Sequence, residues 1–169
     1  MQTWRYSATS VTKYNPIYRD VNGVYQRNEW IGFFQIGKDI DGQIFTLEEY
    51  ECIEEKYLTA AHLFFTFHNC VKFRIENLEK KYIDDYKYPD KAELVALYSK
   101  LGSGQIYELD NLKAIVKLIL RELIWAELFC EKSDEIALRF GYDFYMYFNS
   151  SKDMTSLFSE IESLGLFVD

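Results

Sequence analysis

The sequence is poor in the residues that mark special structural classes. Its 169 residues include two prolines, eight glycines and three cysteines, with no internal repeat or low-complexity run. This composition excludes collagen-like chains and flexible linkers. Cys52, Cys70 and Cys130 are an odd number without Cys-x-x-Cys spacing, so we expect reduced thiols in a cytosolic protein.

Basic residues and long apolar runs are scarce as well. Lysine and arginine number 19 against 27 aspartates and glutamates, which gives a formal charge of −8. A surface of that sign repels a phosphate backbone, so we expect no direct nucleic-acid partner. Polar or charged side chains interrupt the apolar runs at residues 60–67 and 118–129, and the first residues lack the pattern of a signal peptide. We therefore expect a soluble, cytoplasmic protein without a membrane partner.

Apolar and aromatic residues, by contrast, are plentiful. Hydrophobic residues make up 49% of the chain and aromatic residues 18%, with 14 Tyr and 13 Phe. This length and composition predict a single domain over residues 1–169. Within it, an aromatic, turn-rich N-terminal segment (residues 1–37) precedes a core of helices and strands (residues 46–169).

The clearest helix signal begins at Thr46. Thr46 and Glu49 have the spacing of a capping box, and apolar residues follow at helical intervals from Tyr50. We predict a helix of about 24 residues, amphipathic in its first half and apolar nearly all round in its second. Upstream, one Asn-Pro and one Asn-Gly dipeptide predict turns in an extended, hairpin-like segment.

Shorter patterns predict the remaining elements. They are a strand at residues 71–78, a short helix between Pro89 and Gly102, a third helix from Asp110 to about Cys130, either a hairpin or one bulged strand at residues 136–149, a last helix ending near Ser163 and a terminal strand at residues 166–168. This irregular order favours an α+β fold over a doubly wound parallel sheet. We predict one α+β domain of about four helices packed with a small, mostly antiparallel sheet.

Residues suited to metal or cofactor chemistry are too dispersed to form a motif. The stretch from Gly32 to Lys38 has the spacing of a phosphate loop, but Asp39 stands where that loop needs Ser or Thr to hold magnesium. His62 and His68 are six residues apart, which places them on different faces of a helix. We expect no metal and no cofactor.

Two alternative functions stay open at this point. Cys70 with His62 or His68 would give a small hydrolase or a ligand-binding site between the helices and the sheet, although no nucleophile elbow accompanies them. An assembly or scaffold protein would instead show an exposed apolar patch and a concentration-dependent dimer. We predict that the protein is not an enzyme, and the sequence leaves its oligomeric state open.

The most unusual charge feature is an acidic segment, residues 39–57. It holds seven acidic residues against Lys56 alone, a net charge of −6. One interpretation is a solvated face; the other is an electrostatic face that steers a basic partner, and only the second predicts salt-sensitive binding. The candidate partner-binding carboxylates are Asp39, Asp41, Glu48, Glu51 and Glu55.

Aromatic residues of the N-terminal segment are candidate anchors for the same partner. Tyrosine and tryptophan are enriched at protein interfaces because they combine apolar area with a polar tip. The candidates are Tyr14, Tyr18, Tyr25 and Trp30, for which packing and recognition are both open. Lys113, Lys117 and Arg121, on the other hand, predict a solvated stripe on the third helix.

Both ends of the chain resemble a known class of proteins. Residues 12–20 read TKYNPIYRD, residues 140–147 read FGYDFYMY, residues 165–168 read GLFV, and Gly23, Tyr25, Glu29, Trp30, Ile36 and Gly37 follow the first stretch. These stretches resemble small bacterial immunity proteins encoded beside polymorphic toxins, in particular those of contact-dependent growth inhibition systems.

The resemblance implies a cytosolic, non-enzymatic inhibitor that binds a cognate toxin domain and blocks its active site or substrate surface. Such toxins are often nucleases, whose basic clefts suit an acidic inhibitor. No individual site residue is carried over from the family. From the residues alone, we expect the carboxylates to speed association and the aromatic residues to slow dissociation.

Overall fold

The computed structural model describes residues 8–84 and 86–169. The helices in these ranges are α1 Leu47–Phe67, α2 Lys91–Lys100, α3 Leu112–Leu120 and α4 Thr155–Ser163. The strands are β1 Ala8–Thr12, β2 Asp39–Ile40, β3 Gln43–Ile44, β4 Lys72–Lys80, β5 Ile106–Glu108, β6 Ile124–Cys130, β7 Ser133–Phe140, β8 Tyr145–Asn149 and β9 Phe167–Val168. The first seven residues of the predicted N-terminal segment lie outside the described ranges.

Most of the strands join one antiparallel sheet. Its seven strands are ordered β5-β4-β6-β7-β8-β1-β9, and β2 pairs with β3 in a separate hairpin. β1 lies between β8 and β9, so an early strand and the last strand close the same edge of the sheet. The α+β class, the four helices and the single domain are confirmed, whereas the sheet is larger than the small one predicted.

The helices cover one face of this sheet. Side chains on that face, such as Ile75, Leu128 and Met146, are fully buried, while neighbours on the other face, such as Arg74 and Tyr147, are half-buried. This alternation is the period of two that a strand with one covered face requires. In the core, the Phe64 ring of α1 stacks on Phe148 of β8 at 4.4 Å.

Helix α1 begins where the capping box predicts. The Thr46 hydroxyl accepts a hydrogen bond from the Glu49 amide at 3.2 Å, and the Glu49 carboxylate accepts one from the Thr46 amide at 2.8 Å. These bonds satisfy amides that the first turn of a helix leaves unpaired. The hydrogen bonds from Thr46 lower the pKa of Glu49. The apolar second half of α1 lies in the core, as predicted.

The predicted third helix is wrong beyond Leu120. Helix α3 ends there, Glu122 takes a left-handed backbone conformation (φ 58°), and residues 124–130 form the sheet strand β6. Residues 118–129 are apolar enough for a buried helix, but Ile124, Ala126 and Leu128 also alternate with period two. Pairing with β4 and β7 satisfies the backbone of β6 and determines its conformation.

The structure decides between the two alternatives for residues 136–149 in favour of a hairpin. Strands β7 and β8 are joined by a tight turn in which the Tyr145 amide donates to the Tyr142 carbonyl at 3.2 Å. Asp143 and Phe144, its central residues, both have positive φ (56° and 61°), as a type I′ turn requires. A phenylalanine in that conformation is unusual, because its Cβ is crowded by the backbone.

The N-terminal segment contains the predicted turns but only a minimal hairpin. Pro16–Tyr18 form a 3-10 turn, Gly23 takes a positive φ of 80°, and a single bridge joins Arg19 to Tyr25. The strand of this segment, β1, pairs with distant strands instead. Downstream, Asp41 and Gly42 turn the chain between β2 and β3.

The prediction of three reduced thiols is wrong for two of them. Cys70, between α1 and β4, forms a disulfide with Cys130, the last residue of β6, and both residues are 1% exposed. Their Cα atoms are 5.8 Å apart because β4 and β6 are paired neighbours, a proximity that the 60-residue separation conceals in the sequence. Cys52 is an exposed free thiol on α1.

Candidate partner-binding surface

The five predicted carboxylates all lie on the surface. Asp39 is in β2, Asp41 is in the turn that follows, and Glu48, Glu51 and Glu55 lie on α1. Asp39 and Asp41 shape their own loops, since Asp39 accepts a hydrogen bond from the Gly42 amide and Asp41 accepts one from the Asn28 side chain, each at 2.8 Å. We call these five residues the acidic face.

Internal cations neutralise part of the acidic face. Glu55 pairs with Lys113 of α3 at 2.6 Å, and Glu51 lies 3.4 Å from a guanidinium nitrogen of Arg121. Asp39, Asp41 and Glu48 have no cation within 4.0 Å among the described residues. These three carboxylates therefore carry the charge that is available to a partner.

Arg121 is buried, and its predicted place in a solvated stripe is wrong. Its guanidinium, 1% exposed, pairs with both oxygens of Glu54 at 2.8 and 2.7 Å and with Asp90 at 2.7 Å. It also donates to the Tyr86 hydroxyl. We call Arg121, Glu54, Asp90 and Tyr86 the buried ionic cluster. It joins α1, the end of α3 and the connector before α2.

Electrostatics in this cluster favour the charged guanidinium. Burial alone lowers the pKa of Arg121, but the hydrogen bonds and charge of Glu54, together with Tyr86, outweigh burial and raise the pKa above its ordinary value. Burial raises the pKa of Tyr86 and keeps the phenol protonated. A signal for this cluster exists in the sequence: Glu54 lies four residues after Tyr50 and three before Tyr57, on the apolar row of α1.

The candidate aromatic anchors are largely used in packing. Tyr14 is 4% exposed, so its ring is not available as a surface anchor. Trp30 stacks on Phe45 at 4.6 Å and packs edge-on against Phe144 at 5.1 Å. Lys13 lies 4.1 Å from the Tyr14 ring and 4.2 Å from the Trp30 ring, which fixes both rings further.

Tyr18 and Tyr25 are half-buried and keep part of their rings at the surface. The Tyr25 hydroxyl donates to Glu29 at 2.6 Å, and the Arg27 guanidinium lies 3.4 Å from the Tyr18 ring centroid. Burial raises the pKa of Tyr25, and the Glu29 carboxylate raises it further. Of the four candidates, only Tyr14 is buried; Trp30 is half-buried like Tyr18 and Tyr25, but its ring is stacked on Phe45.

The residues of the alternative hydrolase do not form a catalytic constellation. The Cys70 sulfur is bonded to Cys130, so it offers no thiolate. His62 interacts with Thr66 of its own helix at 3.4 Å, and the His68 ring packs 4.9 Å from Phe64 and 5.1 Å from Phe67. Within residues 8–84 and 86–169, no group of three or more His, Cys, Asp or Glu residues is arranged to hold a metal ion.

An exposed apolar groove is the feature that sequence reasoning missed. Its cavity of about 230 Å³ is bordered by Ile31, Phe34, Trp125 and Tyr142, which are 39, 55, 38 and 85% exposed. Trp125 and Tyr142 lie side by side with their ring centroids 6.0 Å apart. The predicted helix through residues 124–130 left this groove unpredicted, because a continuous α3 would not bring Trp125 beside the β7–β8 turn.

These features define an α+β domain with a buried ionic cluster, an acidic face and an apolar groove. Comparison with known proteins finds no matching family model, no similar curated protein and no similar solved structure. In the part of the chain that the structure describes, none of the helices is both long enough and apolar enough to cross a bilayer.

Proposed function

We propose that the protein is an immunity protein: a stoichiometric inhibitor that binds a cognate toxin domain with a basic surface and blocks its active site or substrate surface. The observation that carries the proposal is the set of exposed carboxylates without internal cations, Asp39, Asp41 and Glu48. Charge of one sign that the fold does not neutralise speeds the encounter with a partner of opposite sign.

The mechanism is competitive occlusion. The acidic face takes the place of the negatively charged substrate on the toxin, and Tyr18 and Tyr25 add half-buried aromatic contacts beside it. Glu51 and Glu55 contribute less charge, because Arg121 and Lys113 already lie next to them. No step in this mechanism needs a nucleophile, a metal or a cofactor.

Coexpression tests the proposal directly. The chain is produced together with the toxin domain that the proposal expects to be encoded beside its gene, and growth is compared with that of cells producing the toxin domain alone. We expect restored growth and a one-to-one complex whose yield falls as salt is raised. Unrelieved toxicity with normal production of both chains would overturn the proposal.

A cytosolic site of action belongs to the same proposal, and the Cys70–Cys130 disulfide argues against it. Cytosolic reductants keep most thiols reduced, whereas buried disulfides are typical of oxidising compartments. Quenching intact cells in acid and then alkylating the thiols under denaturing conditions separates the two locations, because Cys70 and Cys130 are buried in the folded protein. Labelling of Cys70 and Cys130 would support the cytosol; labelling of Cys52 alone would place the folded protein elsewhere.

A further inference from the structure

The apolar groove is too small for a cofactor and open enough for a side chain. Small-molecule sites typically enclose about 300–1,000 Å³, and this cavity has about 230 Å³. Interface anchors, in contrast, are single aromatic or aliphatic side chains that fill pockets of a partner. The groove therefore has the dimensions of an anchor pocket.

Most of its walls come from helix α3, strand β6 and the β7–β8 hairpin. Ile124 and Trp125 lie at the start of β6, Ile119 and Leu120 lie at the end of α3, and the β7–β8 turn closes one side. The turn is fixed by Phe144, which is 6% exposed and whose carbonyl accepts a hydrogen bond from the Tyr57 hydroxyl at 2.6 Å. A pocket that is already formed loses little conformational entropy when a partner binds.

The charged residues at the rim of the groove determine which residues of a partner can lie next to the inserted side chain. The charged residues lining the groove are Lys81, Glu122 and Asp143. Lys81 and Glu122 pair with each other at 3.3 Å, whereas Asp143 is exposed and has no cation within 4.0 Å among the described residues. Among these lining residues the unbalanced charge is one carboxylate, which is complementary to a Lys or Arg of a partner, while the ammonium group of Lys38 lies at the Phe34 wall.

The exposed rings of the groove favour a cation too. Lys38 of the chain itself already lies 5.0 Å from the centroid of Phe34, so a cation of a partner would lie beside Trp125 and Tyr142 instead. The segment that carries Phe34 leads into β2 and the acidic face at Asp39. The groove and the acidic face are therefore neighbours in the sequence, and both are complementary to a basic partner.

We propose that the apolar groove receives one aromatic or aliphatic side chain from a basic segment of the partner protein, while Asp143 pairs with a Lys or Arg next to that anchor. This inference rests on the proposed function, because it assigns an anchor contact to the same proposed partner. Trp125 and Tyr142 form the pocket walls, and Asp143 determines the charge of the segment that is accepted.

The test uses capped peptides and the intact protein. The probe is a short peptide with one Trp between a Lys and an Arg; one control peptide has Glu in place of both basic residues, and another has Gly in place of Trp. Amide shifts in the NMR spectrum report the binding site. We expect saturable shifts of Tyr142, Asp143 and the Trp125 indole with the probe, and binding at least about fivefold weaker with either control.

Matched variants locate the contact. Trp125→Ala should abolish the saturable shifts, and Asp143→Asn, which tolerates positive φ, should weaken the probe by about two- to fivefold without affecting the charge-reversed control. Ile106→Ala, on the edge strand β5 and outside the groove, should change nothing. The amide spectrum of each variant verifies its fold.

Three results would overturn the assignment: no saturable shift with the probe, equal binding of the Glu-containing peptide, or shifts of the same amides on raising the protein concentration alone, which would make a second copy the occupant. The coexpression experiment separates the two proposals. Restored growth without peptide binding removes only the groove, whereas peptide binding without restored growth removes the immunity function.

Discussion

The first half of α1 is held to the rest of the protein by a buried ion pair in addition to the packing of Tyr50 and Tyr57, whereas its second half is held chiefly by apolar packing. In the first half, Glu54 pairs with buried Arg121, while Glu48 points to solvent. In the second half, Phe64 and Phe65 are fully buried, and the disulfide follows just beyond the helix. Glutamate therefore serves two purposes on this helix. A glutamate turned inward stabilises the fold, and a glutamate turned outward is available to a partner.

The largest expected effect on stability comes from breaking the ion pair between Glu54 and Arg121. Glu54→Ala leaves the buried guanidinium without its bidentate partner, and we expect the free energy of unfolding to fall by about 3–5 kcal/mol. Urea denaturation measures it. Glu55→Ala is the control, since its exposed pair with Lys113 is worth at most about 1 kcal/mol. Equal losses in the two variants would remove the distinction between inward and outward glutamates.

Removing the disulfide beyond the C-terminal end of α1 should lower the free energy of unfolding by nearly as much. Replacing Cys70 and Cys130 by Ser frees a loop with a sequence separation of 60 residues, and chain entropy predicts a loss of about 4 kcal/mol. The measurement is denaturation of the double variant beside the wild type without reductant. Cys52→Ser is the control, with a change within about 0.5 kcal/mol. A double variant as stable as the wild type would show that the disulfide does not support the fold.

A third change tests the exposed carboxylates of the acidic face. Reversing Asp39, Asp41 and Glu48 to Lys should slow association with the proposed toxin partner by about tenfold or more at low salt. The expected loss of stability is about 1 kcal/mol per site, because Asp39 and Asp41 accept loop hydrogen bonds and Glu48 lies in the first turn of α1. Stopped-flow binding and denaturation measure the two quantities. The control reverses Asp110, Glu160 and Glu162, exposed residues that are not part of the acidic face. A similar slowing in the control would assign the effect to net charge alone.

The smallest effect concerns His68 at the end of α1. Burial lowers the pKa of His68 below its ordinary value, and the positive charge of Lys152 lowers it further. The unfolded chain therefore binds a proton more readily, so His68 costs no stability above its ordinary pKa of about 6.5 and destabilises the fold as pH falls below that value. Thermal unfolding at neutral and mildly acidic pH should show a smaller decrease in His68→Asn than in the wild type. An unchanged decrease would contradict this role.

Local patterns predicted those parts of the fold that local contacts determine. The Thr46–Glu49 capping box gave the start of α1, and turn dipeptides gave the N-terminal turns, because their partners are only a few residues away. The strand β6 depends on pairing with β4, some fifty residues earlier, and its apolar sequence suits either a helix or a strand. Long-range pairing decided between them.

The candidate site likewise has features that the sequence predicts and features that depend on contacts between distant residues. Exposure of Asp39, Asp41 and Glu48 was predictable from an acidic segment with almost no cations. The burial of Arg121 was not, because it depends on Glu54, 67 residues away, and Trp125 beside Tyr142 depends on the sheet. Interactions between distant residues produced both the ionic cluster and the apolar groove.

The role of the outward carboxylates is tested by the salt dependence of association between the protein and the toxin partner proposed for it. We expect a wild-type association rate that falls steeply as salt is raised, and a much flatter dependence when Asp39, Asp41 and Glu48 are reversed. A wild-type rate independent of salt would contradict the claim that the outward carboxylates steer the partner.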